Sequence, residues 1–180
     1  IDKGIAVEND SIKLAEEVLK MGEMSKNEQD FENEYLTGTP DVLNDYFVLD
    51  VKSSYDATTF PWFKKDIPNK DYYYQLQGYM ELTGRRKAFL VYCLVDTPSD
   101  IVEDEVRRVH YKLKEIDDNP IVRNAVEMQH NFERVPKEHR IKCYEIDYDS
   151  EAIKKIYNRV KECRGYYETL IHEQFKIEAI

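Results

Sequence analysis

Apolar positions recur with a helical period near the start of the chain. Ile12, Ala15 and Leu19 fall on one row and Leu14, Val18 and Met21 on the next, so residues 5–24 are predicted as a helix. Asp30 to Gly38 reads as a strand, with Phe31 and Tyr35 among its apolar positions. Asn44-Asp45 then marks a turn. Tyr46-Phe-Val-Leu with Val51 has the β-branched and aromatic character of a buried strand, which predicts a hairpin ending near Ser53. Residues 54–70 form a long loop with two prolines and four aromatics, and loops of this length are more often functional than not. A helix over 71–83 carries the stripe Tyr72, Leu76, Tyr79, Met80 and Leu82 and stops at Gly84. The unbroken apolar run within Lys87–Val95 is a strand buried on both faces. Ser99 or Asp100 caps a helix to about Ile116, Asp117-Asp-Asn-Pro120 breaks it, and another helix follows from about 120 to 132. Residues 141–148 alternate as an exposed edge strand does, and Ser150 caps a last helix to about Glu173. The order is helix, three strands, helix, strand, then mostly helices, in one α/β (α+β) domain spanning 1–180.

The hairpin ends in Asp50-Val51-Lys52, and charges placed directly after an apolar run are costly unless they have a task. With Asn44-Asp45 as a two-residue loop, Leu43 faces Tyr46 and Asp41 faces Val48. Asp50 is then a diagonal neighbour of Asp41 on the same face, with Cα atoms about 7–8 Å apart, near enough for both carboxylates to hold one cation. Lys52 points to that face as well, and Val51 points away from it. Pro40 has no amide to donate, which places the segment at a sheet edge or a bulge. Asp45 belongs to the turn.

Composition changes this picture little. Charged residues at 34% and hydrophobic ones at 42% of 180 are ordinary for a soluble globular protein with a sizeable core. No apolar run reaches the ~18–20 residues of a membrane span, and no signal-peptide pattern opens the chain. Cys93, Cys143 and Cys163 are scattered, which predicts a reducing compartment, no disulfide framework and no zinc site. The net charge of −10 argues against unspecific duplex binding, although a local basic patch is invisible in such a sum. The 14 tyrosines suit packing and base stacking equally well.

Pro40-Asp41, a spacer and Asp50-Val51-Lys52 resemble the motif that names the PD-(D/E)XK nucleases, whose core order is αβββαβ. Gln75-Leu-Gln-Gly-Tyr79 on the next helix resembles the QxxxY motif of the RecB-like branch. Lys3-Gly4-(x)3-Glu8-Asn9 resembles the segment carrying the upstream acidic residue in lambda-exonuclease (YqaJ-type) viral recombination nucleases. Asp50 stands where the superfamily more often has Glu, and Lys3-Gly4 where an arginine-glycine pair is usual. The resemblance covers residues 1 to about 95, and 96–180 carry no recognised motif. It implies a restriction-endonuclease-like fold: a central mixed sheet flanked by helices, with additional C-terminal helices.

The resemblance also implies roles. Asp41, Asp50, the Val51 carbonyl and Glu8 would hold Mg²⁺ or Mn²⁺, with Glu34 the rival of Glu8; Glu8 is equally well an ordinary acid at a helix N-terminus. Lys52 would orient or deprotonate the attacking water and stabilise charge on the phosphate. Gln75 and Tyr79, four apart on one helical face, would stand beside the metal, the competing reading being surface exposure for Gln75 and core packing for Tyr79. Trp62 with Phe60, Phe63, Lys64 and Lys65 either guides a DNA strand or folds the loop onto its own aromatics, and Arg85 is either a further DNA contact or part of a solvated turn. His110, His130, His139 and His172 lie far from the motifs and are read as structural. The expected activity is a Mg²⁺/Mn²⁺-dependent deoxyribonuclease leaving 5′-phosphate ends, a phage-type 5′-to-3′ exonuclease of recombination and repair. Expected partners are DNA, as a duplex end or a single strand, an annealing protein, and further copies in a ring. The expected setting is cytoplasmic, of phage or bacterial origin and away from membranes. The alternative is a nuclease-fold protein that binds nucleic acid or protein without cutting; intact Asp41, Asp50 and Lys52 count against it.

Overall fold

A parallel strand pair joined through one helix organises the chain. The computed structural model describes residues 2–114 and 118–174; the predicted helix end at Ile116 and the side chain of His172 lie outside the described residues. The elements are α1 (Asp2–Ala6), α2 (Glu8–Leu19), β1 (Phe31–Glu32), β2 (Thr37–Gly38), β3 (Val42–Leu43), β4 (Val48–Ser53), α3 (Lys70–Thr83), β5 (Lys87–Cys93), α4 (Ser99–Leu113), α5 (Pro120–His130), β6 (Ile141–Asp147) and α6 (Ser150–Gln174). One sheet has the order β3-β4-β5-β6, and β1 pairs with β2 alone. β4 and β5 run parallel, whereas β3 and β6 are antiparallel to their neighbours. Parallel pairing needs a crossover, and α3 supplies it. This is the mixed sheet flanked by helices that the resemblance implies. No helix among the described residues is long and apolar enough to cross a membrane.

Alternate residues of the two central strands feed opposite faces. Leu49, Val51, Phe89 and Val91 pack with Ile12, Leu14 and Ala15 of α2, and Val48, Ala88 and Leu90 pack with Leu76 and Met80 of α3. A smaller cluster joins Phe60 of the long loop to Leu94 and Phe132.

Local polar chemistry moves several predicted boundaries. The N-terminal helix breaks at Val7, where φ/ψ is −112°/14°, and ends at Leu19 because Lys20 turns left-handed at φ 53°. The strand expected over 30–38 is instead a small hairpin, since the Asn33 side chain accepts from the amides of Tyr35 and Leu36 and closes a turn. In the same way Asn44 accepts from the Tyr46 and Phe47 amides, so the loop of the next hairpin spans four residues, not two. Its register pairs Leu43 with Val48 and Val42 with Leu49. Continued by one residue, this puts Asp41 across from Asp50 rather than from Val48. Two caps also differ from expectation: Pro98 precedes α4 without a side-chain cap, and Asp149, not Ser150, accepts from the Glu151 amide at the start of α6. Gly84 closes α3 at φ 72°, as the sequence predicts.

Candidate active site

The chemistry gathers where β4 leaves the sheet. Strand alternation turns Asp50 to the α3 face, where it is 1% exposed. Lys52, two residues on, places Nζ 2.5 Å from Asp50 Oδ2 and 4.9 Å from the centre of the Tyr72 ring on α3. Asp41 reaches across from the partner arm, and its Oδ2 accepts from the Val51 amide at 2.7 Å. Pro40, which cannot join a ladder by its nitrogen, is held through its carbonyl by the Asn27 side chain at 3.0 Å, while the Asn27 amide donates to the Asp41 carbonyl at 2.8 Å. Asn27 thus fastens the Pro-Asp segment from outside, a role the sequence pattern did not signal.

The electrostatics are those of a site with too much negative charge. Burial pushes the Asp41 carboxyl up to about 7, helped by Asp50 and Glu8, against the opposing Val51 amide and Lys52. Burial raises Asp50 too, against the pull of Lys52. Burial alone would pull the Lys52 ammonium down, but Asp50 and Asp41 outweigh it and hold it above the ordinary lysine value. Asp50 Oδ2 has the ammonium within ion-pair distance yet no well-aligned hydrogen bond. One buried and one half-buried carboxylate therefore share one lysine, and an oxygen of the buried one is under-satisfied. Such a donor set fits a hard divalent cation such as Mg²⁺, which takes one or two carboxylates and keeps several waters. Among the described residues, no three acidic, histidine or cysteine side chains converge into a ready metal cage.

Glu8 opens α2 and lines the same cavity of about 460 Å³ as Lys3, Asp41, Val51, Lys52 and Tyr72. Its carboxylate pairs with Lys26 at 3.0 Å, and its charge is felt at both aspartates. Glu34 sits in the β1–β2 turn, 74% exposed and beside Arg164 of α6, so the structure sets it apart from the pair. Larger grooves lie along β6 and along α6, but they do not contain these groups.

Gln75 Nε2 donates to the Tyr79 hydroxyl at 2.8 Å. Burial raises the Tyr79 hydroxyl and Asp50 and Asp41 add to that, so the ring lies within electrostatic reach of the pair without lining the cavity. Its ring packs on Gly38, where an added Cβ would come within 2.6 Å of Tyr79 Cε1; this close approach explains the glycine.

The proposed strand-guiding residues separate. Trp62 is tied to its own loop by Nε1 donating to the Ala57 carbonyl at 2.7 Å and by edge packing on Phe60. Phe63 is 96% exposed, with Lys64 and Lys65 exposed beside it. Arg85 donates to the carbonyls of Asn44 and Thr83 and lies near Asp45. It clips the far turn of the hairpin to the end of α3, at the opposite end of β4 from Lys52.

Sequence reasoning saw Lys3 only as part of a motif. It is a buried lysine, 3% exposed, whose Nζ donates to the carbonyls of Ser54 and Tyr55 at 2.9 Å each. Burial lowers it to about 8 against the pull of Asp56 and Asp96. It pins the chain just past Lys52. Ser11 and Ser53 share a hydroxyl hydrogen bond of 2.7 Å nearby.

No family model and no curated protein matches this chain. Solved structures do. A phage related exonuclease from Haemophilus somnus 129PT superposes with a TM-score of 0.76 at 28% identity, covering 96% of this chain and 72% of that one. An alkaline exonuclease from Laribacter hongkongensis matches at 0.60 and 16% identity over 94% of this chain and 69% of its own. Its complex with dAMP matches at 0.61 and 18% over 98% and 74%. The chain thus has a restriction-endonuclease-like nuclease fold. It resembles lambda-exonuclease (YqaJ-type) PD-(D/E)XK nucleases across nearly its whole length, including the part beyond residue 95 where no motif is legible.

Proposed function

We propose that this chain is a Mg²⁺- or Mn²⁺-dependent DNA exonuclease, acting 5′ to 3′ in phage-type recombination. The observation that carries the reading is the pairing of half-buried Asp41 with fully buried Asp50 beside Lys52, with a single lysine to balance two acids. The exonuclease neighbours, one of them crystallised with dAMP, support a nuclease.

Asp41, Asp50 and the Val51 carbonyl would hold the cation, with Glu8 at the cavity edge. The cation would lower the pKa of a water and offset charge on the phosphate. In the hydrolysis a water oxygen bonds to phosphorus and gives up a proton to solvent, while the phosphorus–O3′ bond breaks and O3′ takes up a proton from solvent. One nucleotide leaves, and the remaining strand keeps a 5′-phosphate. Lys52, held as an ammonium by the two aspartates, suits charge stabilisation on the phosphate better than proton abstraction. Gln75 and Tyr79 stand behind the pair as positioning groups. Phe63, flanked by Lys64 and Lys65, is the aromatic free to stack on a strand, in place of Trp62. The reading extends to a homo-oligomeric ring, to an annealing protein as partner and to a cytoplasmic setting; sedimentation of the chain with and without DNA tests the ring.

The test is digestion of 5′- and 3′-labelled duplex and single-stranded DNA with Mg²⁺, Mn²⁺ or EDTA. Metal-dependent release of mononucleotides from the 5′ end is expected. No cleavage under any condition overturns the reading in favour of a silent nuclease-fold binder, and release from the 3′ end overturns the polarity.

A further inference from the structure

The last helix outruns the body it packs on. Ala152 and Ile153 of α6 are buried, but every residue from Lys161 to Leu170 is exposed. Helical stretches left to water are marginal on their own, so a long exposed one points to a covering partner. Ile156, Val160, Cys163, Tyr167 and Leu170 follow one another at spacings of four, three, four and three, the alternation of a and d positions in a coiled-coil heptad. The first four, with Tyr74 of α3, line an apolar groove of about 590 Å³. Tyr167 is 64% exposed and Leu170 41%.

The rim of that groove is basic in an acidic protein. Lys155, Arg159 and Arg164 line it, and residues 154–164 hold Lys154, Lys155, Arg159, Lys161 and Arg164 against Glu162 alone, while the whole chain carries −10. Arg159 pairs with Glu162 at 3.1 Å and Arg164 lies 4.0 Å from the Glu34 carboxylate; these carboxylates are 66% and 74% exposed, and such pairs exchange readily. Arg164 also donates to the Glu34 backbone carbonyl at 2.5 Å and lies over the Tyr35 ring, which holds it at the rim without neutralising its charge. With Val160 and Tyr167 at a positions, Arg159 takes g and Arg164 takes the e position five residues on. Those two meet across a parallel coiled coil, so a second copy in register would set arginine against arginine.

We propose that this face of α6 is a docking site for an acidic amphipathic helix of a partner protein, apolar at its a and d positions and rich in Glu or Asp beside them. The probe is a synthetic helical peptide with Leu at a and d and Glu at e and g, titrated by fluorescence anisotropy against the full chain. Two companions replace the flanking Glu by Lys, or the Leu by Ser. The Glu–Leu peptide is expected to bind roughly ten-fold or more tightly than either companion. Val160→Glu or Tyr167→Glu should abolish that binding, and Arg159→Glu with Arg164→Glu should reverse the preference toward the Lys peptide. Circular dichroism checks that these surface variants stay folded. Equal binding of the Glu and Lys peptides, or no binding of the Glu peptide, overturns the proposal. A concentration-dependent dimer of the chain that Val160→Glu dissolves also overturns it, because the occupant is then a second copy.

Discussion

The two faces of β4 follow opposite rules. Leu49 and Val51 turn toward α2 into a packed apolar cluster, where removing area from water is the whole contribution. The other face begins alike, with Val48 against Leu76 and Met80, but two residues later it buries a carboxylate. Burial raises both Asp41 and Asp50, so the ionised pair is less stable here than in water. One face holds the fold. The other stores an unmet demand for positive charge, which is what the proposed cation would meet.

Breaking the polar face should cost activity most. Lys52→Ala is expected to cut cleavage roughly 10²–10⁴-fold in single-turnover assays. Asp50→Asn should be equally inactive yet melt higher than the parent chain, because a buried charge is removed; a lower melting temperature would break the contrast between the faces. Breaking the apolar face should do the reverse. Leu49→Ala should lose about 2–5 kcal/mol in urea unfolding while the folded fraction still cuts. Gly38→Ala should cost about 1–3 kcal/mol and part of the activity, since the new methyl must displace the Tyr79 ring. Gly78→Ala, whose Cβ would meet only Leu36 Cδ1 at 3.8 Å, is the control and should change little or stabilise.

The smallest effect concerns pH. A carboxyl raised from about 4 in the unfolded chain to about 7 at Asp41 binds more protons folded than unfolded. Its contribution is therefore fully present below about pH 4 and is lost as pH rises through about 7. A divalent cation needs the ionised form, so Mn²⁺ should raise the melting temperature more at pH 8 than at pH 6. A shift independent of pH would remove Asp41 from the cation's ligands.

Much of this was legible in the residues, because strand alternation and motif spacing are local. Asp50-Val51-Lys52 after an apolar run fixes which side chains share a face, whatever the loop does. The observed register differs by two from the one an Asn44-Asp45 turn predicts, because the Asn44 side chain accepts from the Tyr46 and Phe47 amides and widens the loop. Asn27 and Lys3 were invisible as partners for a different reason. Their contacts at Pro40 and Ser54 lie 13 and 51 positions away, and no periodicity reports such a meeting. Arg85 shows the converse: a basic residue that the sequence leaves open as a DNA contact, which the fold places at the end of the hairpin away from Lys52. The fold beyond residue 95 carries no motif, yet its edge strand follows from alternation, and its last helix from a capping signal that lies one residue from the observed cap, Asp149.

Asp41 and Asp50 are proposed to share one cation. Anomalous diffraction from crystals soaked in Mn²⁺ tests it directly. A peak is expected at roughly 2–2.5 Å from a carboxylate oxygen of each aspartate and from the Val51 carbonyl, absent in Asp50→Asn. Manganese bound elsewhere, or density at this place that persists in Asp50→Asn, would contradict it.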